Sequence, residues 1–248
     1  MIGQVNHLDL FSGIGGFALA ARWMNWQTIA FCEIDEYCQR VLAKNFPNIP
    51  IHSDIEKLDA TVYRGKVSIL TGGFPCQPHS AAGKGLGTKD ERYLWPKMYK
   101  VIKDVSPNWI VAENVSGLRT TAADEILSDL EEEGYSCWPL VVGALHTGAP
   151  HERRRVWIIA NSNREGLEEW KGQREDNGSQ LSTPERSSYR PYWRSGRDAP
   201  EPRIRRVDDG LPSWVVKCRV PALKALGNAV VPQVAYEIFT AISELNIK

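Results

Sequence analysis

The sequence has no long hydrophobic run and no export signal. No apolar stretch reaches the ~20 residues that a membrane-spanning helix needs. Residues 1–7 lack the basic, apolar and small-residue order of a signal peptide. We therefore expect a chain without a membrane partner, which stays in the cytoplasm of the cell that makes it.

Cysteine is scarce, and its spacing argues against two common uses. The chain of 248 residues has five cysteines, an odd number, and no Cys-x-x-Cys pair. A disulfide framework and a zinc site are both poorly supported by such spacing. We expect no bound metal, and free thiols in a reducing compartment.

Net charge is absent overall but present locally. The chain has 30 basic and 30 acidic residues, so its formal net charge is zero. Residues 186–206 nevertheless carry seven arginines against Asp198 and Glu201. This stretch predicts a surface that meets a polyanion, with a solvated charged loop as the alternative.

What the sequence does contain is a regular alternation of strand and helix patterns. The predicted strands are 5–11, 28–33, 66–72, 109–115, 135–144 and 156–160; the predicted helices are 15–26, 35–46, 93–105, 122–133 and 233–245. This order predicts an α/β fold, a mostly parallel sheet with helices on both faces. Residues 223–231 read as a turn.

The domain organisation follows from a change in composition after residue 160. Residues 161–206 are polar and irregular, yet they hold four tyrosines and tryptophans, which a linker seldom carries. We expect a core formed by residues 1–160 and 212–248, with 161–211 as a small recognition region.

Cys76 is the most informative single residue. An apolar run ends in Gly72-Gly73, and Phe74-Pro75-Cys76-Gln77 follows. The thiol then lies beyond the carboxyl end of a strand, where parallel sheets bind ligands. A thiolate placed there is a candidate nucleophile; an inert buried cysteine is the alternative.

Other candidate residues follow the first two strands. Glycines follow Phe11, where backbone amides can approach a ligand closely, although many turns need glycine anyway. Glu33 ends the second strand, where an acid can bind ribose hydroxyls. Ile34 offers a flat apolar contact for a base, and Asp35 is expected to cap the next helix.

Charged residues end the later strands. Glu113 closes an apolar strand, so burial would raise its pKa and make it a proton donor near neutral pH. Arg153 and Arg155 would share one face of a strand and could bind a phosphate or a carbonyl. A surface acid and a solvated basic edge are the alternatives.

In order and spacing these motifs resemble the cytosine-C5 DNA methyltransferase family. The resemblance covers about residues 5–160 and 220–245. It is carried by Asp-Leu-Phe-x-Gly-x-Gly-Gly-Phe, Pro-Cys-Gln, Glu-Asn-Val, Arg-x-Arg and Gly-Asn-x-Val. Two departures are His151 where the family usually has Gln, and Ala229 where it often has Ser.

The resemblance implies a Rossmann-like core that binds S-adenosyl-L-methionine. The residues that it assigns to the cofactor are Phe11, Gly13, Gly15, Gly16, Glu33, Ile34, Asp54, Ile55, Phe74, Leu94, Asn228 and Ala229. For catalysis it assigns attack on C6 of a flipped cytosine to Cys76 and a hydrogen bond to N3 to Glu113. Arg155 would hold the base carbonyl, and Arg153 would support the pocket or a phosphate.

Double-stranded DNA is the partner that the resemblance implies. The candidate DNA contacts are Gln77, Ser80, Lys84, Arg186, Arg190, Arg194, Arg197, Arg203, Arg205 and Arg206. We expect a monomer of bacterial or phage origin, with a separately encoded restriction endonuclease as a candidate partner. Methylation of RNA cytosine, a catalytically inactive DNA-binding relative and a nicotinamide- or flavin-dependent oxidoreductase are the alternatives.

Overall fold

The computed structural model describes residues 4–75, 93–115, 117–118, 122–149, 152–162, 221–222 and 224–245. The strands are β1 (Asn6–Leu10), β2 (Gln27–Cys32), β3 (Ile51–His52), β4 (Ile69–Gly72), β5 (Trp109–Val115), β6 (Ser136–Gly143) and β7 (Arg154–Asn161). The helices are α1 (Gly16–Trp23), α2 (Glu36–Asn45), α3 (Trp95–Val105), α4 (Ala123–Glu132) and α5 (Pro232–Glu244).

The strands form one sheet in the order β3-β2-β1-β4-β5-β7-β6. All neighbours from β3 to β5 are parallel, and β7 runs antiparallel to both β5 and β6. The predicted α/β fold with a mostly parallel sheet is confirmed. The reversal of β7 follows from its short connection to β6, because a parallel crossover needs a dozen or more residues.

Side chains alternate between two cores along each central strand. Leu8 and Leu10 of β1 and Leu70 of β4 pack on the face that α3 and α4 cover. Ile69 of β4 lies on the opposite face, in a cluster with residues of α1 and α5. Each fully buried aliphatic side chain of this kind stabilises the fold by about 1.5–3 kcal/mol.

The ends of the helices agree with the sequence in part. Asp35 caps α2 as expected, accepting hydrogen bonds from the amides of Tyr37 and Cys38. α3 begins at Trp95 rather than at 93, since Leu94 takes the cap position. Residues 224–228, predicted as a turn, are helical. In the described ranges no helix has the length and apolarity to cross a membrane.

Candidate active site

The candidate site lies at the carboxyl edge of the parallel strands. β1, β2, β4 and β5 end at this edge, and the antiparallel β7 begins there. Some predicted site residues lie outside the described residues: Cys76, Gln77, Ser80, Lys84, Arg186, Arg190, Arg194, Arg197, Arg203, Arg205 and Arg206. Most of the predicted recognition region, residues 163–211, lies outside them too.

Glu33 is held by the backbone of the turn that follows β1. Its carboxylate accepts the amide of Gly13 at 2.6 Å and the amide of Asp35 at 2.7 Å. Gly13 has φ of +53°, and a Cβ there would meet no atom of the described residues within 4 Å. The turn therefore presents open space beside a fixed carboxylate, with lone pairs left for further donors.

The other two glycines of this turn are required by packing. A Cβ on Gly15 would lie 2.7 Å from the ring of Phe46, and Gly15 also has φ of +87°. A Cβ on Gly16 would lie 2.7 Å from the carbonyl oxygen of Val230. Phe11, before these glycines, has φ of +52° and packs partly on the core. Only Gly13 of the three thus faces open space.

The ends of β2 and β3 supply the remaining residues assigned to a nucleoside. Ile34 is 76% exposed, the largest fraction among the exposed large hydrophobic residues that the structure describes. Asp54 accepts the amide of Glu56 at 2.9 Å and pairs with Lys57 at 3.5 Å. Ile55 packs against the core. Ile34 is therefore the apolar surface available to a flat ring.

Asn114 fixes the segment that leads from β4 to Cys76. Its buried side-chain amide donates to the carbonyl of Phe74 at 2.9 Å, and its side-chain oxygen accepts the amide of Val115 at 2.9 Å. The amide of Leu94 donates to the carbonyl of Pro75 at 3.3 Å. The ring of Phe74 is itself buried against Trp95.

No role was assigned to Asn114 from the sequence. The available signal was a side-chain amide directly after Glu113 at the end of an apolar strand. Such a group is costly to bury unless it is hydrogen-bonded.

Glu113 is a buried acid paired with one arginine. Its Oε1 lies 3.1 Å from Nε of Arg155, and a Cβ on Gly73 would lie 3.5 Å from Oε2. Burial raises the pKa of Glu113 to about 7, against the lowering influence of Arg155 and Arg153. Both protonation states are therefore populated near neutral pH, as the sequence analysis expected.

Arg153 and Arg155 do not share a strand face, so that expectation was wrong. Arg153 precedes β7 and has φ of +33°, outside the extended conformation of a strand residue. Its Nη2 donates to the carbonyls of Gly227 at 2.9 Å and Ala229 at 2.7 Å. Arg155 instead contacts Glu113 and donates from Nη1 to the carbonyl of Arg154.

Residues 224–231, here called the C-terminal strap, cross the same edge of the sheet. Lys224 Nζ lies 3.4 Å from Asp35 Oδ2, beyond the end of β2. Val230 packs against Gly16 and lies near Gly73. Asn228 is exposed, and the amide of Ala229 donates to Leu226 at 3.3 Å. The strap thus contacts the part of the site after β2, through Asp35, and lies near the part after β4, at Gly73.

Buried polar side chains of β1, β2 and β4 form a hydrogen-bonded chain that was not predicted from the sequence. Thr71 Oγ1 donates to Asp9 Oδ1 at 2.6 Å, and the His7 ring lies 2.7 Å from Thr71 Oγ1 and 3.0 Å from Thr28 Oγ1. Burial raises the pKa of Asp9 to about 8 and lowers the pKa of His7 to about 3. Among the described residues Asp9 Oδ2 finds no partner.

The fold and site define a Rossmann-like methyltransferase core, and comparison with solved structures agrees. The Schizosaccharomyces pombe methyltransferase Dnmt2 is similar to the chain with a TM-score of 0.55 and 23% identity. The match covers 65% of this chain and 52% of that one.

Sequence comparison identifies the family. Residues 5–199 match the model of the C-5 cytosine-specific DNA methylases. The chain therefore belongs to this family.

Curated relatives include Type II methyltransferases M.PspPI of Psychrobacter, 40% identical over 159 residues, and M.Eco47II of Escherichia coli, 36% identical over 164. The matches cover 61% and 63% of this chain but only 38% and 39% of those proteins.

Proposed function

We propose that the protein transfers a methyl group from S-adenosyl-L-methionine to C5 of cytosine in double-stranded DNA. The observation that carries this proposal is Glu113: a buried acid whose pKa lies at about 7. It stands at the sheet edge beside the segment that leads to Cys76. Its carboxyl group pairs with Arg155 at 3.1 Å and faces Gly73, so in its protonated form it could donate to a pyrimidine ring held at this edge.

The residues around Gly13 fit the cofactor. The open space at Gly13 would let the cofactor approach the backbone closely. The exposed side chain of Ile34 suits an adenine ring. The fixed carboxylate of Glu33 suits the ribose hydroxyls. When bound, S-adenosyl-L-methionine supplies an electrophilic methyl group on a sulfonium sulfur. Glu33 and Ile34 would orient the nucleoside part, and the strap would close over it.

Three side chains would carry out the chemistry on the cytosine ring. Cys76 Sγ forms a bond to C6 of the flipped cytosine, and Glu113 in its protonated form donates to N3, so that charge does not accumulate on the ring. Arg155 holds the carboxyl group of Glu113 and directs its remaining donors to the base carbonyl. After methyl transfer, C5 loses its proton and the bond between Sγ and C6 breaks, which regenerates the thiolate.

DNA binding is assigned to residues 161–211 together with Gln77, Ser80 and Lys84. The arginines between 186 and 206 would contact phosphates and base edges, so binding should weaken steeply as salt rises. The names of the curated relatives support a role beside a restriction endonuclease. A monomer is sufficient for this chemistry, because all the proposed groups come from one chain.

The test is covalent trapping. Duplex DNA of random sequence with 5-fluorocytosine replacing cytosine is incubated with the protein and S-adenosyl-L-methionine. A fluorine at C5 cannot leave as a proton, so the adduct should persist and add the mass of the DNA to the protein. Peptide mapping should find the modification on Cys76.

Two cysteine variants serve as controls. Cys76→Ala should form no adduct, whereas Cys137→Ala should trap DNA normally, because Cys137 is a free cysteine whose pKa is raised by burial. A fluorinated tRNA substrate tests the RNA alternative. Absence of any adduct with duplex DNA would overturn the proposal.

A further inference from the structure

The two arginines that flank Arg154 have different partners. Arg155 contacts the carboxylate of Glu113, whereas Nη2 of Arg153 donates to two backbone carbonyls of the strap, at Gly227 and Ala229. The left-handed φ of Arg153 is uncommon for a residue that is not glycine, and it directs the guanidinium towards the strap. Such strain persists only where surrounding contacts compensate for it.

The contacted part of the strap lies against the start of α1. The carbonyl oxygen of Val230 occupies the space that a side chain at residue 16 would need. Because only two residues separate Gly13 from Gly16, the first residue of α1, a shift of the strap would alter the edge of the open space at Gly13. At its other end the strap is held by an exposed ion pair between Lys224 and Asp35, a contact of small expected strength.

We propose that Arg153 is a positioning residue that clamps the C-terminal strap over the cofactor site, and does not itself contact the base. This inference rests on the proposed function, since it concerns the same cofactor. It assigns to Arg153 a part in S-adenosyl-L-methionine affinity, and it leaves the contact with the base carbonyl to Arg155 alone.

The charge of Arg153 also reaches Glu113. Arg153 and Arg155 are the described charged groups whose field lowers the pKa of Glu113. From β4 the acid faces Gly73, and from the strap it has Val230 nearby, neither of which titrates. Removing the charge of Arg153 should therefore raise the pKa of Glu113 further, so that the acid stays protonated to higher pH.

Three variants of the full chain separate the clamp from other roles. Arg153→Gln removes the charge and shortens the donor, and Arg153→Lys keeps the charge with a different reach. Arg154→Gln is the matched control, because Arg154 is exposed and pairs only with exposed Glu152 among the described residues. Circular dichroism and thermal melting verify that each variant is folded.

The first measurement needs no turnover. Calorimetric titration with S-adenosylhomocysteine should show at least about tenfold weaker binding for Arg153→Gln, the loss expected when a single hydrogen bond to the strap is removed. Arg153→Lys should recover part of this loss, and Arg154→Gln should bind like the wild type. Amide exchange in residues 224–231 of the free protein should be faster in Arg153→Gln only.

The second measurement is the pH dependence of single-turnover methylation. The alkaline limb should move to higher pH in Arg153→Gln and stay in place in Arg153→Lys. A merely structural loss would lower the rate at every pH without moving the limb.

Two results would overturn the inference. One is that Arg153→Gln binds S-adenosylhomocysteine as tightly as Arg154→Gln does and shows unchanged amide exchange in the strap. The other is a variant with normal cofactor affinity but weaker, less salt-dependent binding to duplex DNA, which would assign Arg153 to a phosphate. If the wild-type protein itself binds no S-adenosylhomocysteine, the proposed function fails, and amide exchange still decides whether the clamp exists.

Discussion

The two halves of the sheet edge hold their carboxylates in opposite ways. Beside β1 and β2, Glu33 is fixed by two backbone amides at 2.6 and 2.7 Å. Beside β5 and β7, Glu113 is desolvated and faces a guanidinium. Backbone amide donors hold an acceptor in one position, whereas burial opposed by a cation poises a group to exchange a proton. Under the proposed function, one residue type would serve cofactor binding in one half and proton transfer in the other.

The largest effect should come from removing the exchangeable proton. Glu113→Gln keeps the shape of the side chain but cannot transfer a proton to the ring, so the methylation rate should fall by about 10²–10⁴-fold. Single-turnover rates on duplex DNA measure this change. S-adenosylhomocysteine affinity should be unchanged, and a rate loss below about tenfold would contradict the assigned role.

The matching change in the other half should act on binding. Glu33→Gln places an amide group where two backbone amides need acceptors, so S-adenosylhomocysteine should bind about 10–100-fold more weakly. At saturating cofactor the methylation rate should stay close to that of the wild type. If Glu33→Gln had normal affinity for S-adenosylhomocysteine but a slow methylation rate, Glu33 would act in the chemistry rather than in cofactor binding.

Much of this comparison could be predicted from the sequence. The apolar runs that end in Gly72 and Glu113, and the glycines after Phe11, were sufficient to predict strand ends at one edge, because local pattern and strand direction determine them. The direction of β7 could have been predicted as well, from the short connection 144–153 with room for no crossover helix.

Other features depend on tertiary packing and have no local signal. Gly15 and Gly16 are glycines because Phe46 and Val230 approach them, from positions distant in the sequence. The left-handed φ of Arg153 is equally invisible, since nothing in His-Glu-Arg-Arg-Arg distinguishes the first arginine from the others. The sequence could therefore predict which candidate residues end strands at one edge of the sheet, but not the separate partners of Arg153 and Arg155.

The pH dependence of the methylation rate tests the role of Glu113 further, and its expected effect is smaller than that of either substitution above. Because the pKa of Glu113 is raised to about 7, its protonated form is depleted as pH rises through that value. The single-turnover rate should therefore fall by up to about tenfold for each pH unit above it. The rate is measured from pH 6.5 to 8.5, with S-adenosylhomocysteine affinity measured in parallel at each pH. A rate that rises across this range would argue against Glu113 as the proton donor.

The smallest expected effect concerns the buried Asp9 of β1, and it is measured as a change in the free energy of unfolding. A carboxyl whose pKa is raised from 3.8 to about 8 stabilises the fold most below pH 3.8, and this contribution declines as pH rises towards 8. Glu113 contributes in the same direction up to about 7, and His7 in the opposite direction between about 3 and 6.5. Between pH 7 and 8 both Asp9 and Glu113 titrate in the folded protein, so a variant is needed to separate their contributions.

Asp9→Asn isolates that contribution. The wild-type free energy of unfolding should fall by about 1 kcal/mol from pH 7 to 8 through this carboxyl, because most folded molecules keep a proton there that the unfolded chain has lost. The asparagine oxygen can still accept from Thr71, so the variant should fold and show a flatter profile in this window. Urea unfolding at the two pH values measures the difference. Equal slopes in both proteins would mean that Asp9 is already ionised in the folded state, stabilised by a donor to Oδ2.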